Sequence, residues 1–107
     1  MKKFDELFEK LSNLDIIQTS GDWAENLPDD IWNEYVKNNF KEVAFNLYID
    51  THRWYEVSVT IIRIYDELLG IEHITNLFSE SSNYEDCYVK MKFYRMKEIP
   101  SVSYEKM

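Results

Sequence analysis

The chain has 107 residues and a formal net charge of −8, from 12 Lys and Arg against 20 Asp and Glu, and it is 45% hydrophobic and 16% aromatic. That is apolar enough for one packed domain spanning residues 1–107 and too apolar for a disordered acidic tail. Its two glycines, Gly21 and Gly70, and single cysteine, Cys87, exclude a glycine-rich phosphate loop, an internal disulfide and a cysteine-based zinc site.

Residues 2–12 carry Phe4, Leu7, Phe8 and Leu11 at the i, i+3, i+4, i+7 spacing of an amphipathic helix. Residues 13–27 read as a connector holding one helical turn, begun by Asp22 and closed near Asn26. Pro28 suits the first turn of a second helix, and Asp29 and Asp30 complement the positive end of its dipole. Ile31, Trp32, Tyr35 and Val36 form its apolar face, and Asn38 and Asn39 end it.

From Glu42 the period becomes two. Val43, Phe45, Leu47 and Ile49 point one way, as in a half-buried strand, and residues 50–53 make a polar turn. Tyr55, Val57, Val59 and Ile61 are in phase on the next strand, after which Ile62 and Ile64 fall out of phase. That slip predicts a bulge or bend near Ile61 and Ile62. Gly70 marks a turn, residues 71–79 a shorter strand, and residues 79–86 a loop. Residues 87–97 form the last long strand, with Val89, Met91 and Phe93 inward and Lys90, Lys92 and Tyr94 outward. Pro100 ends it, and Val102, Ser103 and Tyr104 add a short edge pairing. The expected class is α+β, with two N-terminal helices (1–40) packed on one face of a four- to five-stranded antiparallel sheet (41–107).

The acids are segregated. Between Lys10 and Lys37 there is no basic residue, and that window holds Asp15, Asp22, Glu25, Asp29, Asp30 and Glu34. Between Arg63 and Lys90 there is again none, and that window holds Asp66, Glu67, Glu72, Glu80, Glu85 and Asp86. Such sorting implies a field with direction, beyond what solubility needs.

Catalytic chemistry finds little support. His52 and His73, the only histidines, sit in no zinc-binding spacing. His52 with Asp50 reads as a solvated turn pair, His73 as a sheet-face residue and Cys87 as a buried strand thiol. No Asp or Glu has a Lys two residues later, which removes a restriction-type nuclease. No catalytic residue, cofactor or metal site is expected, and the chain is read as a non-enzyme. Tyr88, Lys90, Lys92 and Tyr94 share an outward face that could stack bases, but the overall sign is wrong for phosphate. Outward lysines equally protect a sheet edge from aggregation. Direct nucleic-acid binding is not expected. Nor is a membrane partner, because Asp5, Glu6 and Glu9 follow Met1-Lys2-Lys3 at once and no uncharged apolar run approaches the roughly 18 residues of a membrane helix.

The acidic windows fit the opposite role. Carboxylates four apart on a helix are about 6 Å apart, and alternate residues on a strand about 7 Å, comparable with the step between phosphates. Asp22, Glu25, Asp29, Asp30 and Glu34 are expected to form one acidic patch, and Glu80, Glu85 and Asp86 a second. Exposed charges alone bind weakly, so an aromatic anchor is needed. Trp23 is the candidate, lying in the connector between Asp22 and Glu25. Trp32 reads as core, and Trp54 as half-exposed or covered by the termini.

The segments His52-Arg53-Trp54-Tyr55-Glu56-Val57-Ser58, Gly70-Ile71, Phe78-Ser79-Glu80-Ser81 and Ile99-Pro100-Ser101-Val102-Ser103-Tyr104 resemble small proteins carried by phages and mobile elements of Gram-positive bacteria. The likeness spans residues 43–104. In size, acidity and α+β make-up the chain also resembles small phage-borne inhibitors of host defence, anti-CRISPR proteins among them. That likeness is one of class and carries over no functional residue. It implies stoichiometric binding in the bacterial host cytoplasm, the partner being a host nucleic-acid-binding protein such as a CRISPR effector. A structural or accessory phage protein acting through oligomerisation is the alternative.

Overall fold

The computed structural model describes residues 3–78, 84–99 and 103–106. The side chains of Phe45, Asn46, Tyr48, Ile49, Glu85, Asp86, Glu98, Ile99, Ser103, Tyr104 and Glu105 lie outside that description, as do residues 79–83 and Pro100. The protein is α+β. Helix α1 (Lys3–Ser12) and a short α2 (Asp29–Ile31), continued by a π turn (Trp32–Val36), precede five strands. These are β1 (Phe40–Thr51), β2 (Tyr55–Ile64), β3 (Glu67–Leu77), β4 (Lys92–Ile99) and β5 (Ser103–Lys106), an antiparallel sheet in sequential order.

Ten residues of α1 would not stay helical alone in water, so the helix depends on its apolar stripe. Phe4, Leu7 and Leu11 are buried in a cluster with Ile31, Tyr35 and Val36 and with Ile62, Ile64, Leu69 and Ile71 of the sheet. Val59, Ile61, Leu68 and Met96, at the alternate strand positions, form a separate cluster with Val43, Ala44 and Tyr94 packed against it. The segment after Pro28 is not the regular α-helix expected. Lys37 N–H donates to Trp32 O at 2.8 Å, a five-residue step. The wider turn helps Ile31, Tyr35 and Val36 all reach the core.

Both sheet faces carry apolar clusters, and this explains the phase slip. Ile61 and Ile62 are each 0% exposed, and β2 pairs with β3 without interruption from Val57 to Ile64. Hence β2 does not bulge there. The irregularity lies on the partner strand, where Glu42 opposes Ile62 and Ala44 opposes Ile61, leaving Val43 as the extra residue. Further register shifts follow in β1, and Leu47, expected inward, is exposed. Phe45 and Ile49 lie outside the described side chains.

Gly70 is likewise not a turn. It sits in mid-strand opposite Ile61 and Tyr94, where a Cβ would come 2.8 Å from Met96 Cγ and Sδ. The β2–β3 turn is Tyr65-Asp66, both with positive φ (51° and 65°), as a type I′ hairpin requires. Tyr65 Oη donates to Tyr35 O and accepts from Asn39 Nδ2, tying the turn to the π segment. Asp66 is exposed and has no such side-chain hydrogen bond among the described residues. Asp66→Gly is therefore expected to stabilise the fold by about 0.5–1 kcal/mol, by relieving the left-handed conformation. A raised urea midpoint at unchanged m-value would show it; a lowered midpoint would contradict it.

The connector joins the sheet's far end. Gln18 N–H donates to Val89 O, Met91 N–H donates to Ile16 O, and Ile17 bridges Lys90. β4 pairs with β3 only as far as Glu72, so among the described residues no strand lies beside Ile74 on that edge. The Gln18 carboxamide takes that place: Ile74 N–H donates to Oε1 at 2.6 Å, and Nε2 donates to Ile74 O at 3.0 Å.

Candidate functional site

Asp22 accepts from Ala24 N–H at 3.0 Å and so begins the expected turn, a 3₁₀ segment at Trp23–Asn26. Asn26 closes it from within, its Oδ1 accepting from Thr19 and Ser20 N–H and its Nδ2 donating to Ser20 O and Asp22 O. This turn holds Trp23 inward at 6% exposure. Trp23 meets Trp32 and Phe40 edge-to-face, with centroids 6.4 and 5.4 Å away, and Trp32 meets Phe40 at 5.7 Å. These three rings floor an open cavity of about 590 Å³. Asp22, Glu25, Asp29 and Glu42 line the same cavity, and all four side chains are exposed.

The expected first patch is thus divided. Asp22, Glu25 and Asp29 gather around the cavity, while Asp30 is exposed beside it without lining it. Glu34 lines a second hollow with Glu6, Glu9 and Lys10 around Tyr35. Burial, then the charges of Glu34 and Glu6, raise the Tyr35 phenol above its ordinary 10.0, against a smaller opposing effect of Lys3. Trp23 and Trp32 exchange the parts expected of them: Trp23 is floor, and Trp32 is the more exposed ring. Glu42 was hidden from sequence reasoning because it follows Lys41 outside the base-free windows. Its one signal is its place two residues after Phe40, on the same strand face.

In the second patch, Glu80 lies outside the described residues. Glu85 and Asp86 belong to a 3₁₀ turn at Tyr84–Cys87, and their side chains lie outside the description. The turn abuts the connector, since a Cβ on Gly21 would come 2.9 Å from Tyr84 Oη. The contact is made by the end of the Tyr84 side chain.

Lys90 and, on β4, Lys92 and Arg95 are engaged elsewhere. Lys90 pairs with Asp15 (3.4 Å), Lys92 with Glu72 (3.9 Å), and Arg95 with Asp5 (2.7 Å) and Glu67 (3.7 Å). Among the described residues, no basic side chain pairs with Asp22, Glu25, Asp29, Asp30, Glu34 or Glu42. A further hollow brings His52, Asp50 and Cys87 together, with His52 Nε2 3.4 Å from Asp50 and its ring stacked on Tyr55. Among the described residues, no group of three or more His, Cys, Asp and Glu is placed to hold a metal ion. Among them, too, no helix is long and apolar enough to cross a membrane. No protein-family model, curated protein or solved structure matches the chain.

His73 is 4% exposed, with Nε2 2.8 Å from Thr60 Oγ1 and Nδ1 buried without a partner among the described residues. Burial holds the imidazole below its ordinary 6.5, partly offset by the Ile74 backbone and the charge of Asp22. The folded state therefore binds fewer protons than the unfolded chain, and stability falls as pH drops below about 6.5. The melting temperature should fall between pH 7.5 and 5.5, and His73→Gln should flatten that slope. An unchanged slope in the variant would assign it to other groups.

Proposed function

We propose that the protein is a stoichiometric, non-enzymatic inhibitor that acts in a bacterial cytoplasm by covering a basic nucleic-acid-binding surface of a host defence protein, a CRISPR effector above all. The observation that carries this is the division of charge. Lys90, Lys92 and Arg95 are paired with acids of their own chain, whereas Asp22, Glu25, Asp29, Asp30, Glu34 and Glu42 have no ion pair among the described residues. A polyanion-like surface of this kind speeds association with a basic groove and makes it salt-sensitive. The same reading takes α1 and α2 as covering one sheet face, so that α2 presents Asp29 and Asp30, and the π turn Glu34, outward. The resemblance to phage-borne inhibitors agrees with it.

The test adds the purified protein to a CRISPR effector before guide and target are loaded. Wild type should block cleavage, and the triple variant Asp29→Lys, Asp30→Lys, Glu34→Lys should lose at least tenfold in potency with an unchanged circular dichroism spectrum. Full-strength inhibition by the triple variant would remove the patch from the interface.

A second reading, an accessory phage protein working as an oligomer, is favoured by one observation. Trp54 and Phe78 are 51% and 48% exposed at one end of the sheet, where Phe78 N–H donates to Trp54 O. Light scattering coupled to size exclusion separates the readings: a stable oligomer without effect on the nuclease supports the second.

A further inference from the structure

We propose that the cavity floored by Trp23, Trp32 and Phe40 is an arginine-side-chain receptor, into which the partner's basic surface inserts one guanidinium. The proposal rests on the decoy reading above and names the group that the decoy grips. A patch of exposed carboxylates would attract any cation and hold none in particular. Here the carboxylates surround flat aromatic surface. Trp23 is buried and braces the other two rings edge-on, at interplanar angles of 64° and 75°, so the half-buried rings of Trp32 and Phe40 line a preformed recess.

The chemistry of this recess selects among cations. A guanidinium is planar and weakly hydrated on its faces; it stacks on an aromatic ring while its edge donors reach carboxylates in the ring's surround. A lysine ammonium is compact and strongly hydrated, and gains less from the ring. The rim also has acceptors to spare. Asp22 uses Oδ1 to cap Ala24 N–H, and Glu25 uses Oε2 to accept from Ser20 Oγ, each leaving one oxygen. Asp29 and Glu42 have no side-chain hydrogen bond or ion pair among the described residues. They come from different elements, α2 and β1, and the several N–H donors of a guanidinium allow it to engage more than one carboxylate at once. A nucleobase would fit the rings, but its phosphate would meet the acidic rim.

The experiment titrates the full chain, labelled with ¹⁵N, with acetyl-Gly-Arg-Gly-amide and with the matched Lys peptide, following the indole N–H signals. The Arg peptide should shift the Trp32 signal saturably, leave Trp54 unmoved, and bind at least fivefold more tightly than the Lys peptide. Asp29→Asn and Glu42→Gln, exposed positions unconnected to the core, should each weaken it about fivefold, whereas Asp30→Asn should not. Equal shifts from both peptides, a response at Trp54 equal to that at Trp32, or indifference to Glu42→Gln would overturn the proposal. The decoy reading fails separately. If the Glu42→Gln, Asp29→Asn double variant inhibits at full strength, the receptor is wrong and the decoy stands. If the Arg peptide binds as described while wild type inhibits no nuclease, the decoy is wrong and the receptor stands.

Discussion

Replacing Gln18 by alanine is expected to lower the unfolding free energy by about 2–6 kcal/mol, because two buried backbone groups lose their partners at roughly 1–3 kcal/mol each. Gln18 is fully buried, and its carboxamide binds both the N–H and the C=O of Ile74 as a neighbouring strand would. It also donates to Ser20 O at 2.9 Å, which ties the connector to β3. Gln18→Glu discriminates this account from one of lost volume. Glutamate has nearly the same shape, yet when ionised it accepts only, so Ile74 O would face a carboxylate. Urea denaturation should find the Glu variant at least as damaged as the Ala variant near neutral pH. A well-tolerated glutamate would show that the carboxamide bonds contribute little.

Leu7→Ala is the second large effect, about 2–5 kcal/mol by transfer and cavity terms together. Leu7 is 0% exposed and central on a helix too short to persist undocked. The loss should therefore be visible as faster hydrogen exchange throughout α1, with β2 and β3 amides less affected. Arg95 opposes complete undocking, since its guanidinium pairs with Asp5 and lies about 5 Å from the Phe4 and Phe8 ring centroids. Uniform loss of protection across helix and sheet would show that α1 is not a separate unit of stability. Set against a total of roughly 5–15 kcal/mol for a domain of this kind, either substitution removes a large share.

Much of the architecture could be read from periodicity. The Phe4, Leu7 and Leu11 stripe marked α1, Asp22 and Asn26 marked the 3₁₀ turn, and Met91 and Phe93 marked the inward side of the last long segment, whereas Val89, expected inward with them, is half-buried and outside the core cluster. The failures have physical causes. Two-sided burial of β2 mimics a register slip, because adjacent positions are both apolar when both faces are covered. A left-handed turn made from Tyr65 and Asp66 carries no glycine to announce it, and Gly70 is required instead by the close passage of Met96. The cavity depends on Phe40 and Glu42 meeting a connector some fifteen to twenty residues upstream, and no local pattern encodes such a meeting. Gln18, a polar residue between Ile17 and Thr19 in the connector, gave no sign that it would be fully buried.

The sequential strand order has a kinetic consequence. Among the five described strands every pairing joins chain neighbours, so the meander can zip hairpin by hairpin with small loop-closure entropies. The contacts that fasten the N-terminal third span far more chain: 56 residues from Gln18 to Ile74 and 90 from Asp5 to Arg95. Such contacts are the natural last step. Mutations at Gln18 or Asp5 should then accelerate unfolding while barely slowing refolding, and changes at the Tyr65-Asp66 hairpin should act mainly on the folding limb.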